Sequence, residues 1–262
     1  MSWTLSTLNV NGLRAATRKG FSEWRAENGA DVLCLQELKM QADQVQDEHR
    51  PPPGWATVQV DAEKKGYSGT AVWSRLPPRA QSSGCGLSWA DAEGRVARLD
   101  LEPATVVSVY LPSGSSGPER QARKEAFMDH FLGWSRRLLD EGRPVVLCGD
   151  LNIAHTEQDI HNPVANKKSS GFLPHEREWF SRLLDLGWVD VWRRLNPGVQ
   201  QYSWWSERGQ ARALDRGWRL DYLLASPDLA ARAQRAWTLL GVPSFLAAIV
   251  TIWVMVAKWA AW

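Results

Sequence analysis

Short apolar runs that end in polar side chains recur along the chain and predict buried β-strands. The clearest is residues 145–148, which follow Pro144 and lead into Gly149, Asp150 and Asn152. A run of this length, bounded by turn-forming residues, is typical of a strand buried on both faces. The same pattern predicts strands at residues 3–10, 31–37, 55–60, 70–74, 96–101, 105–111 and 218–224.

Helical spacing of apolar residues predicts three helical segments between these strands. The longest, residues 119–140, places its apolar side chains on one face and ends before Gly142. The other two are residues 13–29 and 176–186. Strands and helices do not alternate strictly, and no linker or repeat divides the chain. We therefore predict that residues 1–262 form one α/β domain, with a two-sheet core covered by helices.

Net charge, cysteine content and the start of the chain indicate how the protein would bind nucleic acid and in which compartment it is found. The net charge is only +2, so binding to nucleic acid would need a local basic surface. The three cysteines, Cys34, Cys85 and Cys148, are odd in number and two lie inside apolar runs, which favours reduced thiols. The start of the chain has no basic segment followed by a long apolar stretch, so we expect no secretory signal and a cytoplasmic location.

A set of polar, oxygen-bearing side chains lies at the ends of four predicted strands and within a fifth. Asp150 and Asn152 are two residues apart, a spacing that puts both side chains on one side of a strand. Taken singly, such residues are common as solvated strand ends. Together, their oxygens suit Mg²⁺ or Mn²⁺, and the lack of cysteine among them argues against zinc. The set comprises Asn9, Glu37, Tyr110, Asp150, Asn152 and Asp221.

Such a set is suited to the hydrolysis of phosphate esters. A cation there would stabilise charge on a phosphoryl oxygen and would lower the pKa of a bound water. Asp150 would accept the proton of that water, and the side-chain amide of Asn152 would donate a hydrogen bond to the phosphate. These residues therefore predict a metal-dependent hydrolase.

Six motifs follow one another between residue 3 and about residue 226, which is most of the chain. They are Leu8-Asn9-Val10-Asn11-Gly12-Leu13-Arg14, Leu35-Gln36-Glu37, Tyr110-Leu111-Pro112, Gly149-Asp150-Leu151-Asn152-Ile153-Ala154-His155, Asn166-Lys167-Lys168-Ser169-Ser170-Gly171-Phe172 and Trp218-Arg219-Leu220-Asp221-Tyr222. In their residues and their order they resemble the exonuclease III family of abasic-site endonucleases. Several are long, so a chance match is implausible.

The resemblance implies both a fold and an activity. The fold is DNase I-like, a four-layer αββα sandwich in which two mixed sheets face each other between helices. The activity is Mg²⁺-dependent cleavage of the phosphodiester 5′ to an abasic site in double-stranded DNA, and often removal of nucleotides from 3′ ends. We further expect a monomer without stable membrane association.

The resemblance also implies roles for individual residues of the polar set. Glu37 would be the main metal ligand, with Asn9 nearby and with Asp150 and Asn152 in the same metal-binding group. Asp150 would activate the water and Asn152 would bind the phosphate. Tyr110 would contact the phosphate or the leaving oxygen.

A second group of residues would contact DNA. The basic loop would touch the DNA backbone, although an ordinary solvated loop has the same composition. An apolar pocket would take the flipped-out abasic sugar and would reject a normal nucleotide by its shape, although tryptophans also serve simply to pack a core. The residues implied in this way are Asn166, Lys167 and Lys168 in the loop, with Trp204, Trp218 and Leu220 in the pocket.

The resemblance fails near the end of the chain. The family carries Ser-Asp-His there, with the histidine facing the scissile phosphate. This chain has Phe245 and Leu246 after Ser244, and no histidine follows His175. Asp221, which would orient that histidine, therefore lacks its partner. Loss of one positioned donor typically costs ~10²–10³ in rate, so we expect weakened catalysis.

The segment that replaces this motif is almost entirely apolar. As a helix, residues 245–257 would extend ~20 Å, short of the ~30 Å hydrocarbon core of a bilayer. Their β-branched residues favour a buried last strand over a membrane anchor, and a shifted reading frame from about residue 244 would also explain the departure.

Three functions therefore remain open. The first is a DNA-repair nuclease with weakened activity. The second is a catalytically silent relative that still binds abasic DNA. The third is a phosphodiesterase or phosphatase of the same fold that acts on another substrate, since a fold alone does not determine function.

Overall fold

The computed structural model describes residues 2–238 and 255–259. The strands in that part of the chain are β1 (Trp3–Asn9), β2 (Val32–Gln36), β3 (Ala56–Val60), β4 (Thr70–Ser74), β5 (Pro78–Ser83), β6 (Val96–Leu101), β7 (Thr105–Tyr110), β8 (Val145–Asp150), β9 (Val189–Asp190), β10 (Trp204–Trp205), β11 (Gly217–Trp218), β12 (Asp221–Ala225), β13 (Ala233–Thr238) and β14 (Met255–Trp259). The helices are α1 (Leu13–Thr17), α2 (Phe21–Asn28), α3 (Ser88–Ala92), α4 (Pro118–Asp140), α5 (Pro163–Asn166), α6 (Pro174–Asp185), α7 (Val191–Leu195) and α8 (Pro227–Ala231).

Two mixed sheets face each other across a shared apolar core. The strand order is β13-β14-β1-β2-β4-β3 in the first sheet and β5-β6-β7-β8-β12-β9 in the second. The pairs β1–β2 and β7–β8 are parallel, whereas β8–β12 and β2–β4 are antiparallel. The outer face of the first sheet packs against α1 and α2, and that of the second against α4 and α6. The predicted four-layer αββα sandwich is therefore confirmed.

Strand β8 shows why an unbroken apolar run became a central strand. Val146 and Cys148 point into the core between the sheets, while Val145 and Leu147 point into the core under the helices. Successive side chains alternate between the two faces of a strand, so a strand with both faces covered must be apolar throughout. The prediction of burial on both faces is confirmed, since every residue of β8 is buried.

Two predicted elements are divided in the structure. Residues 13–29 form α1 and α2 instead of one helix, because Gly20 adopts a left-handed conformation with φ 95° between them. Residues 218–224 likewise do not form one strand. Trp218 belongs to a short ribbon with Trp204, and β12 begins three residues later. Strand β5 was not predicted because its side chains are all exposed and carry no apolar pattern.

The end of the described chain completes the first sheet. Strand β14 pairs antiparallel with β1 on one side and with β13 on the other. A strand was predicted over residues 245–257; only its last residues are described, and Phe245 and Leu246 lie outside the described residues. In the parts of the chain that the structure describes, no helix combines the length and the apolar character needed to cross a bilayer.

Candidate active site

Sheet register brings the predicted polar set together from both sheets. In the second sheet, Asp150 at the end of β8 is paired with Tyr110 of β7 on one side and with Asp221 of β12 on the other. In the first sheet, Asn9 ends β1 and Glu37 follows β2, in adjacent register positions. Residues far apart in sequence thus meet where the two sheets adjoin.

These residues surround a cavity of about 580 Å³. An adjoining cavity of about 100 Å³ is lined partly by the same carboxylates and also by Asp221, Asn11 and Ser203. Every residue of the predicted polar set therefore lines one of the two cavities. The larger one is lined by Asn9, Glu37, Tyr110, Ser113, Ser115, Asp150, Asn152, Ser169, Ser170, Gly171, Trp204, Trp218 and Leu220.

Asn9 links the two carboxylates that face each other across the sheets. Its Nδ2 donates to Glu37 Oε1 at 2.9 Å and to Asp150 Oδ2 at 3.0 Å. Its own Oδ1 accepts the backbone N–H of Asn11 at 3.0 Å, which holds the amide in this orientation. Lys39 contacts the other oxygen of Glu37 at 2.6 Å and offsets part of its charge. Asn9 therefore acts as a spacer between Glu37 and Asp150.

Asn152 reaches the cavity by a turn rather than by continuation of the strand. Strand β8 ends at Asp150, and Asn152 is left-handed with φ 51°. Its backbone N–H donates to Asp150 Oδ1 at 2.9 Å, and its Nδ2 donates to the Leu111 carbonyl at 2.8 Å. Both side chains do face one cavity, but the strand spacing used to predict this is wrong for Asn152. The cause is the hydrogen bond from its N–H to Asp150, which turns the chain.

Burial and mutual repulsion disfavour the charged forms of the acids in the site. Burial raises the pKa of Asp150 well above its ordinary value, and the nearby charges of Asp221 and Glu37 raise it further. Burial also raises the pKa of Asp221 to about 7. Among the described residues, Oδ1 of Asp221 has no hydrogen-bond partner although it is buried. The hydroxyl of Tyr110 has its pKa raised well above its ordinary value, first by burial and then by Glu37 and Asp150, so it remains a proton donor at neutral pH.

This arrangement fits a hard divalent cation. Three carboxyl groups with unfavourable mutual charges, one of them with an oxygen that has no partner in the described part of the chain, form a place where positive charge would be stabilising. Mg²⁺ commonly binds through one or two carboxylates and keeps several waters. Glu37 and Asp150 suit that mode. Among the described residues, no group of three or more histidine, cysteine, aspartate or glutamate side chains is placed to hold a metal ion.

Comparison with known proteins identifies the family. The profile of the endonuclease/exonuclease/phosphatase family matches residues 6–252 of the chain. The chain belongs to this family. It is 43% identical to an exodeoxyribonuclease of Bacillus subtilis, over 86% of this chain and 88% of that one. It is 38% identical to a DNA-(apurinic or apyrimidinic site) endonuclease of Dictyostelium discoideum, over 84% of this chain and 62% of the relative.

Solved structures agree with this assignment. An AP endonuclease from Archaeoglobus fulgidus superposes with a TM-score of 0.90 at 27% identity, covering 99% of this chain and 100% of the other. A variant of the 3′ phosphatase NExo from Neisseria, bound to a product DNA hairpin, superposes with a TM-score of 0.91 at 28% identity, covering 99% and 100%. The predicted resemblance to the exonuclease III type of repair nuclease and the DNase I-like fold are therefore confirmed.

The apolar wall of this family member's cavity comes from the short ribbon and the turn after it. Trp204 of β10 lies opposite Trp218 of β11, and their rings meet edge to face with centroids 6.4 Å apart. Leu220 packs with Phe172 and the Trp218 ring in one small apolar cluster. Trp204 is 37% exposed, so it is not simply a core residue. All three predicted pocket residues line the cavity.

The predicted basic loop lies outside the cavity lining. Lys167 and Lys168 are exposed directly after α5, and this loop continues into Ser169 and Ser170, which do line the cavity. The Asn166 side chain is held within its own loop, since Nδ2 donates to the carbonyls of residues 161 and 162 and Oδ1 accepts from Ser169.

Four serines of the cavity wall were not predicted as site residues. Ser113 and Ser115 lie in a loop that carries no matching motif beyond Pro112, whereas Ser169 and Ser170 lie inside the matching motif of residues 166–172, of which only Asn166, Lys167 and Lys168 were predicted to contact DNA. Ser113 and Ser115 reach the cavity from the loop after β7, and Ser169 and Ser170 reach it from the loop after α5. They are Ser113, Ser115, Ser169 and Ser170.

Removing one of the buried acids should stabilise this protein at alkaline pH when no divalent cation is added. A carboxyl whose pKa is raised by folding binds a proton more tightly in the native state, so stability falls as pH rises from about 4, the unfolded value, to about 7. The titration belongs to the interacting pair of Asp150 and Asp221. We expect Asp221→Asn to flatten this fall and to raise the free energy of unfolding at pH 8 by more than about 1.4 kcal/mol, the value of one pKa unit.

The measurement is calorimetric unfolding in EDTA between pH 4 and pH 9. Glu157→Gln removes an exposed carboxylate and serves as the control, with a profile close to that of the unaltered protein. If Asp221→Asn leaves both the slope and the stability at pH 8 unchanged, Asp221 is not under the electrostatic strain described above.

Proposed function

We propose that the chain is a Mg²⁺-dependent nuclease that hydrolyses the phosphodiester 5′ to an abasic site in double-stranded DNA and removes nucleotides from 3′ ends. The observation that carries this proposal is one cavity with two unlike walls. Acids and amides from both sheets form one wall, and Trp204, Trp218 and Leu220 form the other. The first wall suits a phosphate and a cation, and the second suits a sugar without its base.

The residues of the polar wall have distinct tasks in this proposal. Glu37 and Asp150 would hold Mg²⁺, which when bound supplies positive charge for a phosphate oxygen and keeps the neighbouring carboxylates ionised. Asp150 accepts a proton from the attacking water. Asn152 has two side-chain N–H groups, of which Leu111 holds one, so the other is free to donate to the phosphate. Tyr110, kept protonated, donates to a phosphate oxygen or to the leaving oxygen.

A silent abasic-DNA-binding protein is the second candidate. It is favoured by one observation in the sequence, the presence of Phe245 and Leu246 where the family has aspartate and histidine. Neither side chain can donate a hydrogen bond to a phosphate or hold a proton. This candidate shares the cavity and the basic loop with the nuclease and differs only in turnover.

An incision assay separates the two candidates. A labelled duplex with one tetrahydrofuran abasic analogue is incubated with an equimolar concentration of enzyme, either in Mg²⁺ or in EDTA. The nuclease predicts a nick 5′ to the analogue in Mg²⁺ alone. Affinity for the same duplex without any nick would support the silent binder, and hydrolysis of other phosphate esters without action on DNA would favour a phosphodiesterase with a different substrate.

The basic loop should contribute through the salt dependence of binding. Each lysine that neutralises a phosphate adds ~0.9 to the slope of log K against log salt for duplex DNA. We expect Lys167→Ala and Lys168→Ala each to make this negative slope less steep by about that amount. The cleavage rate of bound substrate should stay unchanged. The measurement is fluorescence anisotropy in EDTA over a range of salt concentrations.

Arg136→Ala is the matched control for the loop. Arg136 is an exposed cation of α4 near Pro144 and Ser226, at the opposite end of β8 from Asp150. Its substitution should leave the slope as it is. Equal slopes for the loop variants and the unaltered protein would show that the loop does not contact DNA phosphates.

A further inference from the structure

A fully buried ion pair lies behind the cavity and has no part in the roles given above. Lys124 of α4 and Glu176 of α6 are both 0% exposed, with Nζ and Oε1 2.7 Å apart. Removing two charges from water is costly, and a buried pair of this kind is often no more stabilising than apolar residues of the same size. Its contacts beyond the pair are therefore the informative feature.

The lysine of the pair reaches the phosphate-binding turn. Lys124 Nζ donates to the backbone carbonyl of Asn152 at 2.9 Å. Asn152 is the left-handed residue whose N–H contacts Asp150 and whose side chain faces the cavity. A movement of this carbonyl would therefore shift the position of the Asn152 side-chain amide. It would also alter the hydrogen bond from the Asn152 backbone N–H to Asp150.

The glutamate of the pair reaches the opposite wall. Glu176 Oε2 accepts the backbone N–H groups of Gly171 at 2.6 Å and of Leu173 at 3.0 Å. Gly171 lies against both walls: a side-chain carbon added there would lie 3.1 Å from the Asn152 carbonyl and 3.1 Å from the Trp218 ring. The glutamate therefore holds the turn that lies between the polar wall and the apolar wall.

Gln121 and Ser170 complete the arrangement. Gln121 Nε2 donates to Glu176 Oε1 at 3.1 Å, and Ser170, which lines the cavity, donates to Gln121 Oε1 at 2.7 Å. The Gly171 carbonyl in turn accepts the N–H of Ala154, two residues beyond Asn152, at 2.8 Å. The pair thus contacts two loops that both line the cavity, one through Asn152 and the other through Ser170 and Gly171.

We infer that Lys124 and Glu176 are a positioning pair, which sets the distance between the phosphate-binding Asn152 and the turn at Gly171 that adjoins the sugar pocket. This inference rests on the proposed nuclease function. The pair acts through backbone atoms and touches no reacting group. A misplacement of about 1 Å in such a site commonly costs ~10² in rate, so its effect should appear in the chemical step more than in DNA affinity.

The test uses the double variant Lys124→Met/Glu176→Gln, which keeps the size of both side chains and leaves no unpaired buried charge. Three quantities are measured: the single-turnover incision rate of abasic duplex in Mg²⁺, the affinity for the same duplex in EDTA, and amide hydrogen exchange by mass spectrometry. We expect a rate about 10²-fold lower, an affinity within about threefold, and faster exchange in the segment of residues 170–174.

The matched control lies at the other end of α4. Arg98 forms an ion pair with Glu141, just after that helix, at 2.6 Å. The double variant Arg98→Met/Glu141→Gln should reduce thermal stability and leave the rate and the exchange of residues 170–174 unchanged. If Lys124→Met/Glu176→Gln does not fold, Lys124→Gln/Glu176→Gln is measured instead; it also leaves no unpaired buried charge and keeps amide N–H donors at both positions, with a smaller fall in rate and the same local exchange expected.

The possible results separate this inference from the proposed function. An incision rate equal to that of the unaltered protein, or an equal loss in the control variant, overturns the positioning role. Absence of incision by the unaltered protein contradicts the nuclease instead. The exchange measurement then still decides on the pair, because unchanged exchange at residues 170–174 overturns it without reference to activity.

Discussion

Replacing Asp150 with asparagine is expected to lower the rate of abasic-site incision by about 10²–10⁴-fold, the usual contribution of a positioned general base. Asparagine has the same shape but cannot accept the proton of the attacking water. Asp150 also carries a charge that burial, Asp221 and Glu37 all disfavour. The substitution should therefore remove activity without lowering thermal stability at neutral pH. Single-turnover incision and calorimetry on the same preparation measure both effects.

A second aspartate provides the opposite result as a control. Asp100 of β6 lies away from the cavity and accepts hydrogen bonds from Arg98 at 2.9 Å and Thr105 at 2.8 Å. Burial would raise the pKa of Asp100, but its bonds to Arg98 and Thr105 hold it below the ordinary value. Asp100→Asn should lower stability and leave incision unchanged. Full incision activity in Asp150→Asn would exclude Asp150 as the base.

Introducing the missing family residues is expected to have the second largest effect. The double substitution Phe245→Asp/Leu246→His should raise the single-turnover incision rate by ~10²–10³, the value of a positioned donor at a developing charge. We expect this gain because Asp221, the acid that would orient the introduced histidine, is already in place. Asp221 is buried beside Asp150, and among the described residues its Oδ1 has no partner, as expected of a group that has lost the histidine it would orient.

Two further variants test whether a gain in rate comes from the introduced histidine. Asp221→Asn added to the double variant should remove most of the gain, because the histidine would lose its orienting group. Phe245→Asn/Leu246→Gln introduces polar groups without a titrating histidine and controls for a simple change of polarity. A folded Phe245→Asp/Leu246→His variant with unchanged incision would show that the absent pair is not what limits the rate.

The layers of the fold and nearly all residues of the polar site could be predicted from the amino-acid sequence. The short apolar run of residues 145–148 predicted a strand covered on both faces, and the irregular order of strands and helices predicted the two-sheet core. The motifs around Asn9, Glu37, Asp150 and Asp221 named residues that all line one of the two adjoining cavities. Such local signals survive in the sequence because they depend on the neighbours of each residue along the chain.

Which residues face one another, and how that shifts their pKa values, follows from the three-dimensional fold alone. Burial raises the pKa of Asp150, and Asp221 in the next strand and Glu37 in the other sheet raise it further; no spacing along the chain contains that burial or those contacts. The same is true of Lys124 and Glu176, which lie on two helices and meet behind the cavity. Interactions of this kind depend on three-dimensional register and burial, so they could not be predicted from the sequence. Strands and motifs depend on the local order of residues, so they could be.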